Sequence, residues 1–260
     1  MDILALKLVA TPLLILAASL AGRRWGETVG GWLVGLPLTS GPVCFFLALE
    51  HGPGFAAATG MGSLAGAGSE AAFCLTYGAA ARRAPWPLAL LSASLAYGVV
   101  AVLFAMAALP LWSLLAVVVA ALTVALSLLP HFAVAAVTLP AAPRWELPAR
   151  MTVATALVFG LTELAPYAGP QASGLLATYP VFAAVLTVFA HHRRGPVAAL
   201  SVMRGLLIGL FSFAGFFAVL APMLQALGIA ASFAAAIAAC LAIQGGSLWL
   251  LRRRLRRPES

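Results

Sequence analysis

The chain has 260 residues, of which 63% are hydrophobic and only 8% are charged. Soluble domains average about 25% charged residues, so this composition excludes an ordinary soluble protein and indicates a membrane protein with several spans. The formal net charge is +8, but the arginines stand in short clusters between apolar runs, which predicts orientation signals and no nucleic-acid partner. Cys44, Cys74 and Cys240 each lie in an apolar run, so neither a disulfide framework nor a metal site is predicted.

Apolar segments long enough to cross a bilayer follow one another along the whole chain. Such a helix needs about 20 mostly apolar residues. The segments are 3–21, 30–49, 55–80, 87–108, 112–138, 150–166, 171–190, 197–221 and 228–251. The sequence therefore predicts an all-α membrane protein with about nine transmembrane helices.

Basic residues predict the orientation of these spans. They occupy alternate connections and the C-terminal tail, as Arg23, Arg24, Arg82, Arg83, Arg144, Arg150, Arg193, Arg194, Arg252, Arg253, Arg254, Arg256 and Arg257. Loops rich in lysine and arginine stay in the cytoplasm. We expect the N-terminus outside, the tail in the cytoplasm, and the chain in the lipid bilayer of a bacterial inner (cytoplasmic) membrane.

The second span contains the run Gly35-Leu-Pro-Leu-Thr-Ser-Gly-Pro42. Proline removes a backbone donor and clashes with the preceding turn, so a kinked or interrupted helix is predicted here. The seventh span repeats the pattern as Gly174-Leu-Leu-Ala-Thr-Tyr-Pro180. Paired broken helices indicate the binding site of a transporter, although kinks whose hydroxyls bond their own helices would give the same pattern. The predicted solute-binding residues of the two motifs are Gly35, Pro37, Thr39, Ser40, Gly41, Pro42, Gly174, Thr178, Tyr179 and Pro180.

The two halves of the chain share further matches. Val9-Ala-Thr11 returns as Val153-Ala-Thr155. Ordered matches of less common residues pair Gly30, Gly35, Thr39, Pro42, Gly62, Gly66 and Ser69 with Gly169, Gly174, Thr178, Pro180, Gly205, Gly209 and Ser212. Four spans return the chain to the side of the membrane on which it started, and the linker span then takes it to the other side. The second set of four spans therefore begins on the opposite side, and the second copy is inverted relative to the first. We expect a first repeat in 1–110, a linker span and cytoplasmic loop in 111–149, and a second repeat with the arginine-rich tail in 150–260.

This pattern resembles the inverted-repeat secondary transporters, including the bile-acid/arsenite/riboflavin and cation–proton antiporter groups, whose broken helices cross at mid-membrane. The resemblance covers most of the chain as an architecture and does not rest on a residue motif of one family. Those groups usually have five spans in each repeat, where this chain has four and a linker.

The expected function is secondary active transport of a small solute, by a proton-coupled carrier or an exporter, without a cofactor. Two alternatives stay open: a non-transporting scaffold or lipid-binding assembly partner, and a passive channel. The chain has no Gly-x-Ser-x-Gly motif, no His-Glu-x-x-His motif and no paired carboxylates, so an enzyme is not expected.

Two ionisable residues lie deep within predicted spans, Glu70 in the third and Arg204 in the eighth. A charge near the bilayer centre costs about 2.5–3.5 kcal/mol on insertion scales, so it faces a partner or water. Three interpretations compete: a structural salt bridge between them, Glu70 as a proton carrier, and Arg204 as the counter-ion of an anionic solute. Glu163 and His131 are weaker candidates for proton coupling.

Two pairs of glycines are spaced four residues apart, Gly62 with Gly66 and Gly205 with Gly209. Small residues at this spacing let membrane helices approach closely. They predict packing faces, either within the chain or at a homodimer interface.

Overall fold

The computed structural model describes residues 3–38, 40–129, 145–160 and 179–255, and every regular element in these ranges is an α-helix. The helices are α1 (Ile3–Trp25), α2 (Glu27–Val34), α3 (Ser40–His51), α4 (Pro53–Ala80), α5 (Trp86–Ala107), α6 (Leu111–Leu128), α7 (146–160), α8 (Val181–Arg194) and α9 (Pro196–Leu255). The prediction of an all-helical protein is confirmed.

Three of these helices are long and apolar enough to cross a membrane: α5, α6 and the part of α9 from Pro196 to Ser247. On α5 the large exposed side chains recur every three or four residues, at Leu88, Leu91, Leu95, Val99, Val102 and Met106. That spacing places them on one face of the helix. An apolar face that no other helix covers is the surface that a bilayer would contact.

The helix α4 lies at the centre of the packing and contacts α3, α5, α6 and α9. Small buried residues such as Ser63 and Gly66 line its middle, and Phe73 and Tyr77 fill the space towards its C-terminal end. Small side chains let neighbouring helices approach α4 closely, while the aromatic rings provide the volume of the core.

The longest helix, α9, changes direction at Gly228. This glycine has φ 75° and ψ 174°, a conformation that side chains with a Cβ rarely adopt. The second limb (229–255) returns alongside the first (196–227), because Gly215 lies against Ile243 and Ser212 bonds Gln244. The predicted spans 197–221 and 228–251 therefore correspond to the two limbs of α9, which are two helices joined by the non-helical residue Gly228.

Candidate functional site

The interruption predicted in the second apolar segment is confirmed, because α2 ends at Val34 and α3 begins at Ser40. Pro37 has no N–H with which to bond the carbonyl of Leu33, its partner in a continuing helix. The amide of Leu36 bonds that carbonyl instead, at 3.3 Å. The chain re-enters helix with Pro42 in the first turn of α3, where proline is tolerated.

This shift in pairing also changes the partner of the Trp32 carbonyl. In a continuing helix the amide of Leu36 would bond it. Here the side-chain amide of Gln244 donates to it at 3.3 Å, and the Gln244 Oε1 atom lies 2.5 Å from the Ser212 hydroxyl. A carbonyl can only accept, so the amide nitrogen faces Trp32 and the amide oxygen faces Ser212. Ser212 and Gln244 are both buried and belong to the two limbs of α9.

The side chain of Trp32 makes a second contact with the same limb. Its indole Nε1 donates to the hydroxyl of Ser247 at 2.9 Å. The second limb of α9 therefore holds the end of α2 through both the main chain and the side chain of Trp32.

A glycine contact brings the backbone of α2 against the first limb of α9. A Cβ added to Gly35 would lie 2.6 Å from the Cα of Gly209, and one added to Gly209 would lie 2.6 Å from the Trp32 carbonyl oxygen. Gly205 faces the carbonyl of Thr28 just as closely. The predicted packing face at Gly205 and Gly209 thus lies within the chain, against the broken helix.

The other predicted glycine pair lies on α4. Gly62 is exposed, and a Cβ added there would meet no atom within 4 Å among the described residues. Gly66 is buried. The prediction of a packing face at this pair remains open at Gly62, which faces outward.

A shallow, open pocket with a cavity volume of about 20 Å³, the space of about one water molecule, lies beside the break. The described residues around it are apolar and include Leu14 of α1, Leu33, Leu36 and Leu38 of the broken segment, and Phe182 of α8. The pocket therefore lies between the first predicted motif and the helix that follows the second.

The other predicted residues of the first motif differ in exposure. Pro37 and Gly41 are buried, Ser40 is half-buried and Pro42 is exposed. Gly41 faces the ring of Phe216 on α9. The predicted ligands Thr39, Gly174 and Thr178 and the predicted coupling residues His131 and Glu163 lie outside the described residues.

The described end of the second motif consists of Tyr179 and Pro180. The helix α8 begins directly after Pro180. The hydroxyl of Tyr179 lies 2.7 Å from that of Ser94 on α5, and its ring packs edge-on against Phe73 and Tyr97. These contacts fix the end of the second motif against α4 and α5.

Arg204 donates hydrogen bonds to main-chain carbonyls at the end of α6. Its Nη1 atom donates to the carbonyls of Leu126, at 3.3 Å, and Leu129, at 3.1 Å. The residue that would bond Leu126 in a continuing helix is Pro130, which has no N–H. Arg204 thus replaces a missing backbone donor at the end of α6.

Glu70 lies half-buried in α4. Within the described ranges its carboxyl group makes no hydrogen bond or ion pair, and none joins it to Arg204. The salt bridge, one of the three interpretations of this pair, is therefore absent from this conformation.

An ionic cluster that the sequence did not reveal joins the ends of three helices. Glu27, in the first turn of α2, pairs with Arg194 in the last turn of α8. Glu146, at the start of α7, bonds Arg150 at 2.5 Å and lies 3.8 Å from Nε of Arg193. The sequence signal for this cluster is an acidic residue in the first turn of one helix and arginines in the last turn of another. The helix dipole favours negative charge at a helix N-terminus and positive charge at a C-terminus.

Among the described residues, no three His, Cys, Asp or Glu side chains converge in a group that could hold a metal ion. The break is held by neutral hydrogen bonds among Trp32, Ser212, Gln244 and Ser247, and the pocket beside it is lined by apolar side chains. Comparison with protein-family models, with curated proteins and with solved structures finds no match to this chain, so the site is interpreted from its own geometry.

Proposed function

We propose that this protein is a secondary active transporter of a small solute, which binds at mid-membrane between 35–42 and 174–180. The observation that carries the proposal is the break between α2 and α3, where a main-chain carbonyl is bonded by a buried side chain of a distant helix. Hydrocarbon tolerates such irregular backbone only where protein or a water-filled cavity covers it. Broken helices of this kind present main-chain groups to the solute in known carriers.

The pocket beside the break supports the same function. It opens between the first motif and α8, the helix that follows the second motif. A solute there would contact apolar side chains on the pocket walls, among them Leu33, Leu36 and Phe182. In this conformation the pocket holds about one water molecule, so the proposal requires the helices around it to move apart before a solute enters.

The proposal includes two inverted repeats, 1–110 and 150–260, on either side of a linker. The ordered glycine, proline, threonine and serine matches between the halves support the repeat. The alternating arginines support an outside N-terminus and a cytoplasmic tail in a bacterial inner membrane. Alternating access would then arise from movement of one repeat against the other.

Within this proposal Glu70 carries the coupling proton and Arg204 holds the end of α6. Glu70 has no ion-pair partner among the described residues, whereas Arg204 bonds two carbonyls of α6. An intramembrane carboxyl group that faces no fixed cation is free to change its protonation during transport.

The central test is solute flux in proteoliposomes that carry a pH-sensitive dye inside. A thermal-shift screen of small anions, amines and sugars on the purified protein first selects the solute, because a ligand that binds only the folded state raises its apparent stability. Flux of that solute is then measured for Pro37→Ala, which restores the donor for Leu33 and removes the cause of the break. The matched control is Pro12→Ala, which replaces a proline inside α1.

We expect Pro37→Ala to lose most of the flux while Pro12→Ala keeps it, with both variants folded. Equal flux in Pro37→Ala and the wild type would contradict the carrier. No flux under any gradient would favour the scaffold, and flux that never saturates would favour a passive channel.

Glu70→Gln tests the coupling separately. This variant should abolish uptake driven by a pH gradient but leave solute exchange intact, because the amide cannot carry a proton. Uptake with the pH dependence of the wild type would exclude Glu70 as the proton carrier.

A further inference from the structure

We propose that Gln244 is a positioning residue, which sets the geometry of the break between α2 and α3 by bonding the carbonyl of Trp32. Only its consequence for transport rests on the proposed function. Gln244 lies in the second limb of α9, 212 positions along the chain from Trp32. No local sequence feature of the broken segment supplies this bond.

Gln244 is needed because Pro37 shifts the backbone hydrogen bonds at the end of α2. Pro37 leaves Leu33 without its usual donor, so Leu36 bonds Leu33, at 3.3 Å, and no longer bonds Trp32. A buried carbonyl without a donor is unfavourable. Gln244 is 4% exposed and provides that donor.

Ser212 lies on the other side of the Gln244 amide. Its hydroxyl is 2.5 Å from the Gln244 oxygen and 2.7 Å from the carbonyl of Gly209, and it can donate its one proton to either. The Trp32 carbonyl, which can only accept, fixes the amide nitrogen on its side, and the fully buried Ser212 bonds the amide oxygen from the first limb. The three residues link both limbs of α9 to the broken helix.

This link couples the packing of α9 to the shape of the binding segment. Gly209 of the first limb lies against Gly35, and Gln244 of the second limb donates to the Trp32 carbonyl near the end of α2. A movement of the second limb away from α2 would break the bond to Trp32 and release the segment from Gly35 to Leu38. Gln244 therefore acts on the solute through the main chain of the break.

Hydrogen–deuterium exchange of the backbone amides in 33–41, on the full chain in detergent micelles or nanodiscs, tests the inference. Gln244→Met keeps most of the side-chain volume and removes both hydrogen bonds. The matched control is Gln225→Met, at an exposed glutamine of the same helix. Ser212→Ala is a milder variant that keeps Gln244 but removes the hydroxyl that bonds its amide oxygen.

We expect exchange in 33–41 to rise by about tenfold in Gln244→Met and by a few-fold in Ser212→Ala, because local opening becomes easier. Exchange in α5 should stay unchanged in both, and Gln225→Met should match the wild type throughout. If Gln244→Met fails to fold, Ser212→Ala alone decides: unchanged exchange in 33–41 overturns the inference. A rise of the same size in Gln225→Met, or a rise spread over all helices, also overturns it.

Solute flux separates this inference from the proposed function. A positioning role predicts that Gln244→Met raises the KM for the solute more than it lowers the maximal rate. Increased exchange at the break in a protein without any flux would leave the positioning role standing and refute the carrier. Unchanged exchange with normal flux would refute the positioning role and leave the carrier standing.

Discussion

In the described part of the chain, helices stop and restart between α2 and α3 and at Gly228, and these two interruptions are held in different ways. Between Val34 and Ser40 the cause is Pro37, and the carbonyl of Trp32 is bonded by Gln244 from another helix. At Gly228 the cause is one residue at φ 75°, and its carbonyl is bonded at 2.6 Å by Ser232, four residues further on. The first interruption depends on tertiary packing and the second on local bonding.

Their surroundings differ in the same way. Gly35, at the first interruption, touches the backbone of α9, whereas Gly228 is exposed with no atom near the position of a Cβ among the described residues. The turn at Gly228 is stabilised by a hydrogen bond within its own segment, and it serves to reverse the direction of the chain. A break that needs other helices changes when those helices move, as the proposed transport function would require.

The largest difference is expected when a methyl group is added at each interruption. Gly35→Ala should lower the free energy of unfolding by about 3 kcal/mol, because the new Cβ meets the backbone of Gly209, which cannot rotate away. Gly228→Ala should cost about 1–2 kcal/mol, because φ 75° with ψ 174° lies in a backbone region that almost only glycine occupies. Unfolding in mixed micelles of detergent and dodecyl sulfate measures both.

Gly62→Ala serves as the control for both substitutions, since it adds a methyl group to an exposed helical position with open space around it. It should leave stability unchanged or raise it slightly. Equal losses for Gly35→Ala and Gly228→Ala would show that the first break is as local as the second.

A smaller effect is expected at the opposite end of α2, where Glu27 pairs with Arg194. The two side chains are 12% and 22% exposed, so removing either charge leaves the other partly buried. Glu27→Gln or Arg194→Gln should each cost roughly 1–3 kcal/mol, and the double variant should cost less than the sum.

Arg83→Gln is the matched control for this pair, because Arg83 is an exposed arginine in the connection between α4 and α5. It should have no measurable effect on unfolding. If the losses at Glu27 and Arg194 simply add, the two side chains do not stabilise each other, and the break is the main attachment of α2.

The smallest effect concerns pH and α8, the helix that follows the second motif. Burial lowers the pKa of His191 below its usual value of 6.5, and its Nδ1 atom lies 3.0 Å from the Tyr77 hydroxyl. Below pH 6.5 the unfolded chain binds a proton before the folded one, so stability falls until pH passes the lower pKa of the folded protein.

Melting temperatures at pH 7.5 and 5.5 measure this loss. His191→Asn should reduce the difference between the two temperatures, and His192→Asn, at the exposed neighbour, should leave it as in the wild type. A pH dependence that survives unchanged in His191→Asn would assign it to other groups.

Predictions that rest on the covalent chemistry of one segment agree with the structure. The missing N–H of Pro37 ends α2 where the sequence predicts, and Pro180 immediately precedes α8. The spans predicted at 87–108 and 112–138 begin within one residue of α5 and α6, and α6 ends at Leu128, ten residues before the predicted end. Backbone donors and apolar length are local properties, and so a single segment reveals them.

Residues that act at a distance were not predicted. Gln244 and Ser212 look like ordinary polar residues in apolar spans, and Glu27 looks like a loop residue beside arginines. The sequence suggests Arg204 as a partner of Glu70 or of a solute, and the structure adds bonds to two carbonyls of α6 that the sequence does not indicate. The residues that flank them in the sequence do not indicate which other helix will pack against them.

The sequence by itself determined that the chain is helical and apolar, and it indicated an interruption where two prolines and two glycines fall within 35–42. Each proline removes a backbone donor and each glycine weakens the helix, whereas the single Pro12 stays inside α1. Only the tertiary structure decided which groups complete the break. The Trp32 carbonyl accepts whichever buried donor the packing brings within reach, and packing selected Gln244 through contacts between segments more than 200 positions apart.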